Sequence, residues 1–422
     1  MKIFNLLLVA LAPIALARAP LTVQDGADGI ADNYIVVMKV ADKKTLEAHY
    51  KQMNTTAQQS KDKKGVRRTY EISNFNGYHI ECDNSTLDTI RKDPNVRAKP
   101  TYYSVVTMQT PISYDVPRSD AVANKWGLGR ISHRESGHQS YLKEAAAESA
   151  MQTYAYIVDS GIHVTHQEFG GRATFGQNFV EGSPDTDETG HGTHVAGTVG
   201  GNTVGVDNTT QLIAVKIFDK NGIASGSGVI AGMDWAAKDA QARDGISRSV
   251  INLSVGSGKS QAQNDAVANV VRFGMTVVVA AGNSGVDACT VGLGSTPEAI
   301  TVAAIDECDK RADFSDWGSC VDIFAPGVNI YSASYDSDSG YATHGGTSMA
   351  CPYVSGLVTY LMSRELISGP AAIASRLTEL ATQEKVKDPK GSPNMIAFNG
   401  NKAELFYDSN SGPDECPSSE GN

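Results

Sequence analysis

Three short motifs in this 422-residue chain hold an acid, a base and a nucleophile that could work together. Asp159 lies in the segment IVDSG, His191 opens the segment HGTHVAG, and Ser348 lies in the segment GGTSMA. Serine is a weak nucleophile, so it needs an imidazole to accept its proton and a buried carboxylate to orient that imidazole and stabilise its cation. The three residue types therefore predict nucleophilic catalysis through a covalent serine intermediate.

Glycines and one asparagine could complete such a site. The glycines before Ser348 would allow a tight turn that presents its hydroxyl at a helix N-terminus, where negative charge is favoured. Asn283 follows an apolar run in the segment AAGN, and its amide, with the backbone N–H of Ser348, could bind an oxyanion. An aspartate or asparagine after a strand is usually only a turn residue. The combination of motifs, and no single motif, predicts catalysis.

The motifs lie where apolar strands are expected to end. Residues 154–158, 213–218, 250–255 and 276–281 are apolar runs, each followed by Gly, Asp or Asn, with helical spacing between them. Such runs are typical of parallel strands that are covered on both faces, and sites form at the carboxyl ends of such strands. A helix beginning near Ser348 is apolar almost all round and should be buried. We expect an α/β domain with a central parallel sheet over residues 126–400.

A separate small domain is predicted before it. Residues 34–107 show the order β-α-β-β-α-β of a ferredoxin-like α+β unit. The formal charge is +2 over residues 19–110 and −15 over residues 111–422, which also separates the two regions. Residues 111–125 contain two prolines and few large apolar residues, so they are interpreted as a linker. Residues 401–422 are polar and are predicted to form a loose tail.

The N-terminus and the composition indicate the compartment. Residues 1–17 have a positive start, an apolar run and the small-x-small segment ALA, as a signal peptide does, and export would permit disulfides. The net charge of −11 argues against a nucleic-acid partner. No later apolar run approaches the ~20 residues of a membrane span, so no membrane association is expected. The six cysteines lack zinc-site spacing.

The DSG, HGTHVAG and GTSMA blocks, in this order, resemble those of the subtilisin-like serine peptidases, most closely the secreted proteinase K group of fungi. The blocks WGLGRIS, IAGMD and VDIFAPG extend the resemblance over roughly residues 34–400. It implies a three-layer subtilisin-like fold and a monomeric endopeptidase that acts on proteins and peptides. It also implies that residues 18–110 are a propeptide, which chaperones folding and inhibits the enzyme until self-cleavage in or beside residues 111–125. Alternatives are an inactive homologue, such as an allergen, or a vacuolar rather than extracellular protease.

The resemblance also implies substrate contacts. The walls of the primary specificity pocket would be Ser254, Val255 and Gly256 on one side and Ala280, Ala281 and Gly282 on the other, with room for an apolar or aromatic side chain. The segment Gly222–Gly226, including Ser225, would pair with an extended peptide, although its glycines could simply punctuate a loop. Broad specificity is therefore expected.

The resemblance further implies a structural calcium ion and a disulfide. The matching calcium ligands are the carboxylate of Asp322 and the carbonyls of Pro297 and Ala299, which are apt oxygen donors, although Asp322 could equally be an ordinary structural carboxylate. Some bacterial relatives join positions that match Cys289 and Cys320, which implies the same bridge here. Cys308 could instead take either partner, Cys351 should stay reduced, and Cys416 is expected to be free or trimmed.

Overall fold

The computed structural model describes residues 29–39, 42–60, 63–96, 101–108, 112–113, 125–144 and 151–402, with the backbone alone for residues 29, 101–108 and 112–113. These residues form a small N-terminal α+β unit and a larger α/β unit. The predicted signal peptide, most of the predicted linker and all but two residues of the predicted tail lie outside the described residues.

The small unit has the predicted element order. Its elements are β1 Gly29–Met38, α1 Lys43–Gln58, β2 Gly65–Ile72, β3 Phe75–Glu81, α2 Asn84–Lys92 and β4 Thr101–Met108. The strands form an antiparallel sheet in the order β4-β1-β3-β2, which is the ferredoxin-like order. Asp42 and Asp83 cap the two helices by accepting hydrogen bonds from Thr45 N and Thr86 N. The apolar faces of both helices pack on one face of this sheet, so the unit has its own core.

The remaining described helices and strands belong to the linker and the larger unit. The helices are α3 Trp126–Arg130, α4 His191–Gly200, α5 Gly226–Ala242, α6 Gln261–Phe273, α7 Thr347–Glu365 and α8 Pro370–Leu380. The longer strands are β6 Tyr154–Asp159, β7 Ala173–Asn178, β8 Gln211–Lys216, β10 Ser249–Leu253, β12 Thr276–Ala280, β13 Ile300–Ile305, β14 Ile323–Pro326, β15 Ile330–Ala333 and β16 Tyr341–Gly345. The short strands are β5 Ile112–Ser113, β9 Ile223–Ser225, β11 Val255–Gly256, β17 Thr382–Gln383 and β18 Met395–Ile396.

The central sheet confirms the predicted parallel architecture. Its order is β17-β18-β14-β13-β12-β10-β6-β8-β7, and every neighbouring pair is parallel except β17 with β18. Side chains alternate between two cores: Ala155 and Ile157 of β6 face α4 and α7, whereas Tyr156 and Val158 face α5 and α6. Helices therefore cover both faces. Helix α7 is buried along almost its whole length, as its apolar sequence predicts.

Strand pairing also connects the two units. Strand β4 lies between β9 and β11 and is antiparallel to both, with Val106 opposite Ala224 and Met108 opposite Val255. The next described strand, β5, pairs with β16, where Ile112 is opposite Gly345. The sequence predicted only a linker at residues 111–125, but two of its residues form this strand. The edge of the small sheet thus continues into the larger unit.

Candidate active site

Asp159 and His191 form a buried pair at the carboxyl edge of the sheet. Asp159 is the last residue of β6 and His191 is the first residue of α4. Asp159 Oδ1 lies 2.8 Å from His191 Nδ1 and accepts a second hydrogen bond of 2.7 Å from Ser160 N. Donation from Nδ1 leaves the lone pair on Nε2, which has no hydrogen-bond partner. Nε2 is therefore available as a general base.

The surroundings of His191 favour its protonated form. Burial disfavours charge on the imidazole, but the charge of Asp159, its hydrogen bond and the charge of Asp187 together raise the pKa of His191 above its usual value. The cation that forms when the ring accepts a proton is thus stabilised.

Ser348 is the second residue of α7, directly after the turn at Gly346. Gly346 has φ of 145°, a conformation that other residues rarely adopt. Ser348 Oγ donates a hydrogen bond of 3.4 Å to Ser254 O, and Ser254 Oγ donates one of 2.9 Å to Ser348 O. Helices α4 and α7 pack side by side, so Ser348 and His191 begin neighbouring helices. The hydroxyl must turn away from Ser254 to give its proton to the imidazole.

Asn283 presents an unused donor beside this serine. Its Oδ1 accepts hydrogen bonds of 2.8 Å from both N and Oγ1 of Thr347, which fixes the amide plane. Its buried Nδ2 has no hydrogen-bond partner. A Cβ added at Gly346 would lie 3.2 Å from Asn283 Nδ2 and 3.7 Å from Ser348 N. Both nitrogen atoms therefore border the space that the glycine leaves open, where they could donate to an oxyanion.

The residues expected to contact substrate lie around an extended strand. Ala224 and Ser225 pair with one edge of β4, and Val255 and Gly256 pair with the other. Gly222 and Gly226 flank β9, and Ser254 lies between β10 and β11. Ala280, Ala281 and Gly282 are buried at the end of β12, which contacts β11. The structure thus brings the expected contact residues together around one strand-binding gap.

Asp316 holds the loop that carries Asn283, although no local motif in the sequence marks it as a functional residue. Its carboxylate accepts hydrogen bonds from Ser284 N at 2.9 Å and Val286 N at 3.0 Å. A Cβ at Gly282 would collide with this carboxylate, so only glycine fits there. Three-dimensional contacts, and not a local motif, reveal this supporting role.

The expected calcium ligands lie at the opposite end of the sheet. Pro297, Ala299 and Asp322 line one cavity of about 240 Å³ near the amino ends of β12, β13 and β14. Asp322 Oδ2 accepts a hydrogen bond of 2.8 Å from Thr301 N, and burial raises the pKa of this carboxyl. No group of three or more His, Cys, Asp or Glu suited to a metal occurs in the described part of the chain. A cation here would depend on one carboxylate and on carbonyls.

Three of the five cysteines in the described ranges, Cys289, Cys320 and Cys351, are in the predicted state. Cys289 and Cys320 are joined, with their Cα atoms 5.2 Å apart. Cys82 and Cys351 are buried and free. Burial raises the pKa of Cys351 to about 12, so its thiol stays protonated and is a poor nucleophile. Cys308 also forms a disulfide, but with neither Cys289 nor Cys320, which excludes the competing pairings.

A hydrogen-bonded Asp–His pair, a serine at a helix N-terminus and an unused amide donor are the groups with which serine hydrolases form an acyl-enzyme. The sequence model of the Subtilase family matches residues 154–398, and that of the peptidase inhibitor I9 family matches residues 33–98. The chain therefore belongs to the subtilase family. It is a subtilisin-like serine endopeptidase that carries an inhibitor-type propeptide.

The chain is similar to curated fungal proteases and to solved protease structures. Subtilisin-like protease 2 of Pseudogymnoascus destructans is 43% identical over 94% of this chain and 96% of its own length. Alkaline protease 1 of Aspergillus flavus is 39% identical over 94% and 98%. The crystal structure of a cold adapted subtilisin-like serine proteinase is 39% identical, covers 65% of this chain and 97% of that chain, and superimposes with a TM-score of 0.59. In the described ranges, no helix has the length and apolarity needed to cross a bilayer.

Proposed function

We propose that the chain is the precursor of a secreted endopeptidase in which Ser348, His191 and Asp159 are the catalytic triad. The observation that carries the proposal is the position of β4 and β5, which pair with the substrate-binding strands and with β16 on either side of the turn that leads into Ser348. We expect the segment between β4 and β5, which lies outside the described residues, to be the first substrate of Ser348.

The reaction follows from the geometry. Ser348 Oγ attacks the carbonyl carbon of the scissile bond while His191 Nε2 accepts the hydroxyl proton, and Asp159 holds the imidazole by its Nδ1–H. Asn283 Nδ2 and Ser348 N donate to the oxyanion. His191 then gives the proton to the leaving amine, and an acyl-enzyme forms. Water, activated by the same imidazole, releases the acid product and restores Ser348.

The strand register narrows the range of peptide bonds at which processing can occur. Met108 is opposite Val255 on the acyl side, and Ile112 is opposite Gly345 on the leaving-group side. The bond to be cleaved therefore lies after Met108 and before Ile112, at the junction of the proposed propeptide 18–110 and linker 111–125. The mature enzyme would begin within residues 109–112.

A labelling and sequencing experiment tests this function. The secreted protein is expected to react once per molecule with a fluorophosphonate probe at Ser348, because an activated serine is the nucleophile that such probes require. N-terminal sequencing should give a first residue between 109 and 112. A correctly folded protein that takes up no probe would favour the inactive homologue. Recovery of the labelled form from the vacuole instead of the medium would favour the alternative compartment.

Broad apolar specificity is supported by the small residues of the pocket walls. Ala280, Ala281 and Gly282 carry little or no side chain, and Gly256 carries none. Affinity for the peptide would come mainly from backbone hydrogen bonds to β9 and β11, which do not depend on sequence. The pocket then adds a preference for apolar or aromatic side chains.

The propeptide is proposed to act as inhibitor and folding chaperone by covering α5. Arg68 donates hydrogen bonds to Phe179 O at 2.7 Å and to Ser227 Oγ at 3.3 Å. Tyr70 Oη donates to Ser227 O, and the backbone N–H of Glu71 donates to Asp234. These contacts position β4 in the gap. The charges of +2 and −15 on the two regions also favour docking at low salt.

Arg68→Ala in the propeptide is expected to weaken inhibition about 10- to 100-fold, because it removes two charge-assisted hydrogen bonds. The measurement is the inhibition constant of residues 18–110 added to the mature enzyme. Arg67→Ala is the matched control: the Arg67 side chain is 37% exposed, and the Glu181 carboxylate 3.7 Å away is 93% exposed. The control should change inhibition little. Equal effects of the two variants would contradict this interface.

A calcium ion at Asp322 is proposed to stabilise the fold, with the carbonyls of Pro297 and Ala299 as further ligands. The donor set is all oxygen, as calcium prefers, and a bound cation would offset the cost of burying the Asp322 carboxylate. The ion would link the starts of neighbouring strands far from Ser348. It is expected to contribute stability and to take no part in the chemistry.

Millimolar calcium is expected to raise the melting temperature by several degrees, about 4 °C at 100 times Kd for a domain of this size. Asp322→Asn should abolish this rise, because the amide cannot supply the negative charge. The control is Glu298→Gln. The Glu298 carboxylate lines the same cavity but is paired with Arg272. A calcium-dependent rise that survives Asp322→Asn would place the ion elsewhere.

A further inference from the structure

A second buried carboxylate, Asp187, connects the elements that carry the catalytic acid and base. It is 4% exposed and lies in the loop just before α4. Its Oδ1 accepts hydrogen bonds from Ser160 Oγ at 2.8 Å and from Gly190 N at 2.9 Å. Its Oδ2 accepts from Thr193 N at 2.9 Å and Thr193 Oγ1 at 2.6 Å. One side chain thus binds the residue after Asp159 and the first turn of the helix that begins with His191.

Close packing reinforces this connection. Gly192 N donates a hydrogen bond of 3.0 Å to Ser160 Oγ, so the hydroxyl that binds Asp187 also binds the helix. A Cβ at Gly192 would collide with Gly161 O, which shows how closely α4 approaches the loop after β6. The separation of Asp159 and His191 is therefore set by a network centred on Asp187 and Ser160.

We propose that Asp187 is a positioning residue for the catalytic base: it fixes His191 against Asp159 and supplies a second negative charge that favours the imidazolium. This proposal rests on the proposed function, in which His191 is the general base. Asp187 does not touch the reacting atoms and acts through the loop and helix that it joins.

The other ionisable groups near His191 do not replace this charge. Asp159 on β6 is the other negative charge at His191. The remaining groups are His194 on α4 itself, His344 on β16, and Lys216 on β8, whose Nζ donates to Ser160 O, and none of them carries negative charge. Burial and the charge of His191 lower the pKa of His344 to about 4, so this ring is neutral in the working range. Burial likewise holds the pKa of His194 well below its usual value. Asp159 and Asp187 are thus the negative charges that act on His191.

Asp187→Asn tests the proposal. The oxygen of the new amide can still accept hydrogen bonds. Its NH₂ group, however, must face either the donors of Ser160 and Gly190 or those of Thr193, and it cannot accept from them. We expect kcat to fall about 10- to 100-fold with KM within about threefold, because the base loses its fixed position. The acid limb of the kcat/KM profile should move to lower pH by about half a unit, because loss of a negative neighbour lowers the pKa of His191. The matched control is Asp185→Asn, on the exposed part of the same loop.

The outcomes separate this proposal from the proposed function. Unchanged kcat and an unchanged acid limb in Asp187→Asn, with Ser348→Ala inactive, would overturn the positioning role and leave the triad intact. Activity in Ser348→Ala would overturn the proposed function itself. If Asp187→Asn fails to fold, Ser160→Ala removes one hydroxyl of the network; it should lower kcat in the same direction, and normal kinetics in that variant would overturn the proposal.

Discussion

Ser348→Ala is expected to lower kcat for peptide hydrolysis about 10⁶-fold, the loss found when the corresponding serine of subtilisin is removed, and to leave the precursor uncleaved. The variant keeps His191, Asp159 and the oxyanion donors, but none of these can form the acyl-enzyme. Electrophoresis should show one band at the length of the unprocessed chain, and a peptide substrate should give only residual turnover.

A matched control is available on the same helix. Ser363 is 1% exposed and its Oγ donates within α7 to Tyr360 O at 3.0 Å, distant in sequence from the site. Ser363→Ala removes the same atom from an equally buried position and should process normally. A processed and active Ser348→Ala protein would refute the assignment of the nucleophile.

Asn283→Ala should lower kcat about 10²- to 10³-fold while KM changes little, because the amide donor acts on the oxyanion and only weakly on the ground-state carbonyl. The buried Nδ2 of Asn283 makes this expectation specific, since no hydrogen bond commits this donor to another group of the protein. The measurement is steady-state kinetics on a peptide. Processing should be slowed but not abolished.

Removal of a different buried asparagine provides the comparison. Asn269 on α6 is 4% exposed and donates to Asp265 O at 2.7 Å. Asn269→Ala should cost stability and leave kcat unchanged. If Asn283→Ala instead raises KM with kcat intact, Asn283 binds the ground state, and the oxyanion hole must be formed by other donors.

The strand ends and the buried helix could be predicted because they depend on local pattern. Continuous apolar runs place Asp159 and Asn283 at the carboxyl edge of a parallel sheet, and the apolar sequence after Ser348 predicts a buried helix. Asp187 could not be found in this way. Its partner Ser160 is 27 residues away, and the polar segment around Asp187 has no periodicity. Long-range hydrogen bonds give this residue its role.

Other features depend on three-dimensional geometry, which the spacing of residues along the sequence does not determine. Cys289, Cys308 and Cys320 all lie within 32 residues, so the sequence left their pairing open until the resemblance was considered; the 5.2 Å separation of Cα atoms selects Cys289 with Cys320. Strand β5 has only two residues and pairs only because β16 lies beside it. Because this segment has no apolar pattern, its sequence predicts a linker and no strand.

The gap between β9 and β11 limits which segments of another protein can be cut, because a segment must be extended and unpaired to enter it. It holds a single strand, β4, paired on both edges by backbone groups. A helix or the inner strand of a sheet already uses those backbone groups and must open before it can enter. The rate of attack on a folded protein should therefore follow the free energy of local opening of its segments, as native-state hydrogen exchange measures it. We therefore expect mobile loops to be cut first and rigid proteins to survive even when they contain many acceptable side chains.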